Sequence, residues 1–410
     1  MCFTSTDILL PKEASNPDFM TKWSVIACDQ YTSDISYWNK IKDFAGNEMS
    51  ALNLVFPEIY LEIESDEEKT KRIQDIVAAM KKYEPELVCH KNSMFYVERK
   101  LKNGDIRRGL VGAVDLEEYD YKKVSAAKIR ATEEAVPSRL PPRIKIRENA
   151  LLELPHVMIL YNDEKDVLMS GINKNLDDFT KVYDFDLMQN SGKITGYSLD
   201  AKNINFVKEM LGNLELDLDD NGFLFAVGDG NHSLATAKEC WENIKRGVPK
   251  EVYAGHPARY ALVEIVNIYD SSLEFEPIYR IVFDVDPLDV IKKLTERFEP
   301  DTNGHKFELY HGENSCVKTV KSEYNLPVKT LQIFLDDYVA QYGGKIDYIH
   351  GKSETIEFAK KNNAIGFIFD SIKKPGFFSA ITKDGVLPRK TFSMGEADDK
   401  RFYTECRRIR

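Results

Sequence analysis

An α+β fold is what this sequence predicts, and three observations predict it. Paired β-rich runs meet at short turns, as in "SMFYVERKLKNGDIRRGLVGAVDL". A strand–helix–strand pattern stands by itself near the end, and strands and helices do not alternate regularly enough for one long parallel sheet. The 410 residues hold material for two or three domains, and their 43% hydrophobic content suffices for a substantial core.

The elements follow in order. "SVIACDQYTSDISYWNKIKDF" reads as a short strand over Ser24–Cys28, a polar turn, and a helix with Ile35, Trp38 and Ile41 on one face. Asp29, Gln30, Thr32 and Ser33 occupy that turn, where capping is the default explanation and a ligand role for Asp29 the alternative. "SDEEKTKRIQDIVAAMKKY" is a firmer helix: Ser65 and Glu68 form a capping box, while Ile73, Ile76, Val77 and Met80 make the buried stripe. Asn103-Gly104 turns a hairpin. From Tyr119 to Leu154 the texture changes, with Pro137, Pro141 and Pro142 amid basic residues. "HVMILYND", "VYDFDLMQ" and "KITGYSLD" are strands, the last two joined at Asn190-Ser191-Gly192, and Asp200 caps the helix after them. "ARYALVEIVNIYD" and "IYRIVFDVD" are strand-rich, and Asp286-Pro287 opens a helix. "KIDYIHG", "SETIEFAKKNN" and "AIGFIFDSI" make the strand–helix–strand unit, consistent with a right-handed crossover. Three segments are expected: 1–118, 119–255 and 256–410.

With 56 basic and 67 acidic side chains the net charge is −11, which disfavours nucleic acid as a partner because its affinity comes from phosphate neutralisation. No apolar run approaches the roughly 20 residues that span a bilayer, so no membrane is expected. The six cysteines are scattered and read as reduced thiols; with no signal-peptide pattern at the start, a cytoplasmic protein is expected. The sequence leaves oligomerisation open.

The chemistry concentrates in "GFLFAVGDGNHSLATAKECWENIKRG", where a strand gives way to a helix. Gly228 and Gly230 flank Asp229 and let the backbone turn sharply beside a ligand. The first helical turn presents N–H groups and the positive end of the helix dipole, a natural phosphate site. Asp229 could hold Mg²⁺ or accept a proton from a hydroxyl, and His232 could donate to phosphate or act as acid or base. The plainer reading is a connection in which Asn231 or Ser233 caps the helix. Lys128, Arg130, Arg139, Arg143, Lys145 and Arg147 form a local basic excess, read either as anion recognition or as a solvated proline-rich loop. Arg389-Lys390-Thr391 is a second cationic patch with a hydroxyl, or a charged surface turn. There is no Walker loop, zincin motif or nucleophile elbow, and the other histidines, His156 among them, read as core or surface.

"GDGNHSLATAK" resembles the Asp-Gly-His-His-Arg-x-x-x-Ala signature of the domain of unknown function 1015 family. That signature is similar to the motif of the ParB/sulfiredoxin-like fold, which includes the ParB CTPases and the free-serine kinase. Asp229, Gly230 and His232 match; Asn231 stands for the first His and Ser233 for the Arg. "GLVGAVDLEEYD", "KIRATEEA" and "LPRKTFSM" resemble further family segments, bringing in Arg130, Glu133, Lys390 and Thr391. The resemblance implies a ParB/sulfiredoxin-like core that binds a phosphate-containing small molecule, a nucleotide (ATP, ADP or CTP) with Mg²⁺. On that reading Asp229, His232 and Glu133 are catalytic, with Asp229 on the metal. Gly228, Gly230, Asn231, Ser233, Arg130, Lys390 and Thr391 hold the nucleotide. Two functions are expected in competition: phosphotransfer to a small hydroxylated metabolite, and a nucleotide-sensing module without fast turnover.

Overall fold

The computed structural model describes residues 2–133, 139–218 and 222–410. It is α+β and divides into two compact units. Residues up to Leu273, together with Gly395–Arg410, form the first, and Glu274–Met394 form the second. The last sixteen residues thus return to the unit in which the chain began.

The first unit is built on a mixed sheet. Its order is Thr180–Asp186, Lys193–Ser198, Phe95–Lys100, Ile106–Asp115, Tyr260–Asn267, Met158–Tyr161, Phe225–Asp229, Ile129–Ala131 and Tyr119–Asp120, with Phe3–Thr4 added beside Ile106–Asp115. The hairpin expected at Asn103-Gly104 forms there, with Gly104 at φ +95°. The turn at 190–192 likewise joins two antiparallel neighbours. Strands from either side of residues 118 and 255 share this sheet, because hydrogen-bonded pairing ignores the changes of texture along the chain.

Helix Asp66–Tyr83 carries the capping box, with Ser65 accepting from Glu68 N and Glu68 from Ser65 N. Its Ile73, Ile76 and Met80 are buried, as are Trp38 and Ile41 of helix Ile35–Ala45. Ile35 itself is exposed. The Tyr119–Leu154 region is more ordered than its prolines suggest. Pro141 and Pro142 fall in the first turn of helix Leu140–Arg147, where an imide costs no intrahelical hydrogen bond. Pro137 lies outside the described residues.

The second unit has the order Asn314–Val320, Pro300–His311, Ala364–Ile368, Phe275–Phe283 and Lys345–His350, with Phe392–Met394 also on Phe275–Phe283. Lys345–His350 and Ala364–Ile368 both run antiparallel to the strand between them, hence parallel to each other. Helix Lys352–Ala359 makes the expected crossover between them. Among the described residues no helix is long and apolar enough to cross a membrane, and all six cysteines are free.

Candidate functional site

The strand Phe225–Asp229 lies between Met158–Tyr161 and Ile129–Ala131. Met158 faces Asp229 while Ile159 faces Val227, so one extra residue, Gly228, bulges where the strand ends. Gly230 then adopts φ +80°, ψ 27°, a left-handed conformation that glycine takes without strain. A Cβ there would stand 3.0 Å from Val157 Cγ2 and 3.4 Å from His156 Cδ2. Gly230 is therefore required both by conformation and by space.

Helix Asn231–Lys245 starts at this point without a side-chain cap. Neither Asn231 nor Ser233 plays the capping part that the plainer reading assigned. Asn231 instead reaches sideways: its Nδ2 donates to Thr132 Oγ1 at 3.1 Å, and its Oδ1 accepts from Thr132 N at 3.1 Å. Thr132 Oγ1 donates in turn to Val227 O at 2.6 Å. These bonds lock the turn to the neighbouring strand and leave the helix terminus to face other partners.

Those partners converge from distant parts of the first unit. Asp229 Oδ1 accepts from Gly230 N at 3.0 Å, and its Oδ2 stands 3.5 Å from Lys400 Nζ. His156, buried against the turn, places Nε2 3.7 Å from Asp29 Oδ2 and Nδ1 2.7 Å from Tyr403 Oη. Arg143 holds the carboxylate of Glu58 with Nε at 2.8 Å and with Nη2. Burial outweighs this pairing and leaves the Glu58 carboxyl above its ordinary value. The outcome is a half-buried polar cluster of carboxylates, cations and an imidazole beside a helix N-terminus.

His232 sits one residue into that helix, and its pKa is brought down to about 4, first by burial and then by the charges of Arg143 and Arg139. At neutral pH it is a neutral imidazole that can donate one hydrogen bond and accept another. Because its native value lies below the ordinary 6.5, it stabilises the fold fully above pH ~6.5, and this contribution disappears as pH falls through about 4. For a partly exposed group this amounts to roughly 2 kcal/mol. Urea denaturation at pH 7 and pH 4 is expected to show wild type losing about that much more stability than His232→Gln. Equal losses would show that His232 is not held neutral.

The structure brings Asp229, Gly230, Asn231, His232 and Ser233 together, and Glu133 comes two residues after the end of the neighbouring strand Ile129–Ala131. It does not bring Arg130 to the turn. The Arg130 guanidinium lies 4.5 Å from the ring centre of Phe223, and its Nε donates to Ala127 O at 2.9 Å, at the other end of the strand from Asp229. Lys390 and Thr391 fall in the second unit. There Thr391 Oγ1 donates to Pro388 O at 2.6 Å, and Lys390 Nζ is 5.4 Å from the Tyr348 ring centre. Three of the six basic residues in the stretch form internal ion pairs: Lys128 with Glu215, Arg143 with Glu58, Arg147 with Glu153. Among the described residues, no group of three or more His, Cys, Asp or Glu side chains is gathered to hold a metal ion.

Sequence reasoning missed Lys400, Tyr403, Glu58 and the placing of His156. Lys400 and Tyr403 come from the far end of the chain, and no local pattern marks them. Pro155-His156 ahead of an apolar strand is the one signal that could have drawn attention to His156. Two open hollows of about 550 and 570 Å³ occur on the second unit, around Arg297 and its neighbouring helices. Exposed, oppositely charged side chains line them, and they hold no comparable convergence of buried polar groups.

Fold and site together define an α+β protein with a polar cluster at an uncapped helix N-terminus. The chain belongs to the family described as "Protein of unknown function (DUF1015)", whose model matches residues 9–338. No curated protein matches it. Among solved structures it is similar to free serine kinase in complex with AMP, at 14% identity and TM-score 0.38, over 68% of this chain and 90% of that one. It is also similar to a conserved hypothetical protein from Pyrococcus furiosus, at 15% identity and TM-score 0.35, over 67% and 92%. A third is SbnI from Staphylococcus aureus, at 10% identity and TM-score 0.35, over 70% and 83%. At these identities and scores nothing about ligands passes from those proteins to this chain.

Proposed function

We propose that the Asp229–Ser233 turn binds the phosphates of a nucleotide with Mg²⁺, and that the protein transfers phosphate to a small hydroxylated metabolite. The observation that carries this reading is the helix N-terminus at Gly230, which has no side-chain cap and stands between Asp229, Lys400 and His232. Backbone N–H groups and the helix dipole favour an anion there. A single carboxylate suits Mg²⁺, which keeps its water and takes further oxygens from phosphate rather than from a protein cage. Asp229 fits that part, with Oδ1 tied to the backbone and Oδ2 turned toward Lys400. Lys400 and Arg143 are the cations that would balance transferred charge. Arg130, Lys390 and Thr391 are not invoked.

A thermal-shift series tests this, since a ligand that binds the native state raises its apparent stability. ADP with Mg²⁺ is expected to raise the melting temperature more than ADP alone. In Asp229→Asn the extra effect of Mg²⁺ should vanish, with affinity falling about 10- to 100-fold for a lost charge-assisted contact. A wild-type protein that ignores ATP, ADP and CTP would remove the reading. The second reading, a nucleotide sensor, is favoured by one observation: Asp229 already engages Lys400 on the returning segment Gly395–Arg410. A metal-bound nucleotide would compete for that carboxylate and so report binding to the segment. Nucleotide binding without phosphate transfer would select it.

A further inference from the structure

Asp29 is the half-buried carboxylate in this cluster that follows the short strand Val25–Ile26, and its surroundings are directional. The backbone N of Cys28 donates to Tyr403 Oη at 3.2 Å. Tyr403 Oη lies 2.7 Å from His156 Nδ1, and His156 Nε2 faces Asp29 Oδ2 at 3.7 Å. A carboxylate accepts, so a proton on Nε2 would face Asp29 across 3.7 Å, a separation longer than a hydrogen bond. In that tautomer Nδ1 is the acceptor for the Tyr403 hydroxyl, whose oxygen also accepts from Cys28 N–H. Tyr403 is 2% exposed and His156 6%, so both ring orientations are set by packing. Gln30 Nε2 holds the other oxygen, Asp29 Oδ1, at 3.0 Å.

The carbon next to Nε2 on the same imidazole edge rests on the turn. His156 Cδ2 is 3.4 Å from where a Cβ on Gly230 would stand. One ring edge therefore separates the Asp29 carboxylate from the backbone of the proposed phosphate site. We propose that Asp29 is the base that accepts the proton of the phosphoryl acceptor, an aliphatic alcohol, and that Tyr403 and His156 position it. This rests on the phosphate-site reading above.

The step balances with a nucleoside triphosphate as donor. The alcohol oxygen bonds to the terminal phosphorus while its proton passes to an Asp29 oxygen. The bond from that phosphorus to the bridging oxygen breaks, its electron pair leaves with the nucleoside diphosphate, and Asp29 later returns the proton to solvent. A base held within reach of the reacting hydroxyl contributes about 10²–10⁴-fold. Two groups at the turn suit the base role less well. Asp229 is engaged with Lys400, and His232 is a neutral imidazole under the influence of two arginines.

The test uses the full chain with ATP and Mg²⁺, water or glycerol serving as acceptor. Asp29→Asn is expected to keep the wild-type thermal shift with ADP and Mg²⁺ while turnover falls about 100-fold. Tyr403→Phe should lower kcat with KM for ATP unchanged. Histidine ¹⁵N spectra at pH 7 should show His156 protonated at Nε2 in wild type and lose that single-tautomer signature in Tyr403→Phe. A wild type that binds nucleotide while Asp29→Asn turns over normally overturns the base assignment and leaves the phosphate site standing. So does a wild type that binds but never turns over. Protonation at Nδ1 overturns the positioning chain. The absence of any nucleotide shift in wild type overturns both readings.

Discussion

Replacing Arg401 by alanine is expected to cost about 3–5 kcal/mol, a large part of the ~5–15 kcal/mol that holds a typical domain together. Arg401 is 2% exposed; its Nε stands 3.0 Å from Glu264 Oε2, and its Nη2 donates to Glu405 Oε2 at 2.5 Å. Tyr183 Oη donates to the other oxygen of Glu405 at 2.5 Å. Glu264 lacks a well-aligned hydrogen bond, so although its contact with Arg401 is close, it is held mainly by charge. Removing the guanidinium leaves two buried carboxylates without the cation they share. Arg99 and Arg107 lie near enough to Glu264 to soften the loss, though burial and mutual repulsion hold the Arg99 pKa down at about 9. The returning segment carries Lys400 and Tyr403 as well, so Arg401→Ala should also weaken the nucleotide response. Urea denaturation measures the first effect, and the triple variant Arg401→Met, Glu264→Gln, Glu405→Gln should recover most of it. If alanine alone were tolerated within 1 kcal/mol, this buried latch would not hold the segment.

Gly230→Ala is the second change with a large expected effect. A residue with a Cβ in the left-handed region costs about 1–3 kcal/mol. The new methyl would also meet Val157 Cγ2 at 3.0 Å and Val157 Cα at 3.1 Å. Relief of that contact requires the helix N-terminus to move away from His156. Stability should fall by about 2–3 kcal/mol, and the thermal shift with ADP and Mg²⁺ should be lost. An alanine variant that is destabilised yet responds normally to nucleotide would place the phosphate site elsewhere.

Local order was readable where local physics decides it. Ser65 and Glu68 cap the helix that their spacing announces, Asn103-Gly104 turns the hairpin, and Asp200 accepts from Asn203 N at 2.8 Å. Pro141 and Pro142 misled because proline breaks a helix interior but fits its first turn, and no feature of the sequence distinguishes the two positions. The basic stretch left two readings open for a related reason. Charge is visible in the sequence, but the carboxylates that neutralise it, Glu58, Glu153 and Glu215, lie up to 87 residues away along the chain.

The candidate site divides the same way. The strand–turn–helix at Asp229–Ser233 could be read directly, because glycines, an acid and an imidazole at that spacing have consequences for the backbone within a few residues. Which groups surround it could not, because Asp29, Glu58, Arg143, His156, Lys400 and Tyr403 meet only through the sheet order and the return of Gly395–Arg410 to the first unit. Short-range geometry and capping act over three or four residues and leave a pattern in the chain. Long-range packing follows from burial of whole faces, and only the folded sheet decides which carboxylate an imidazole will meet.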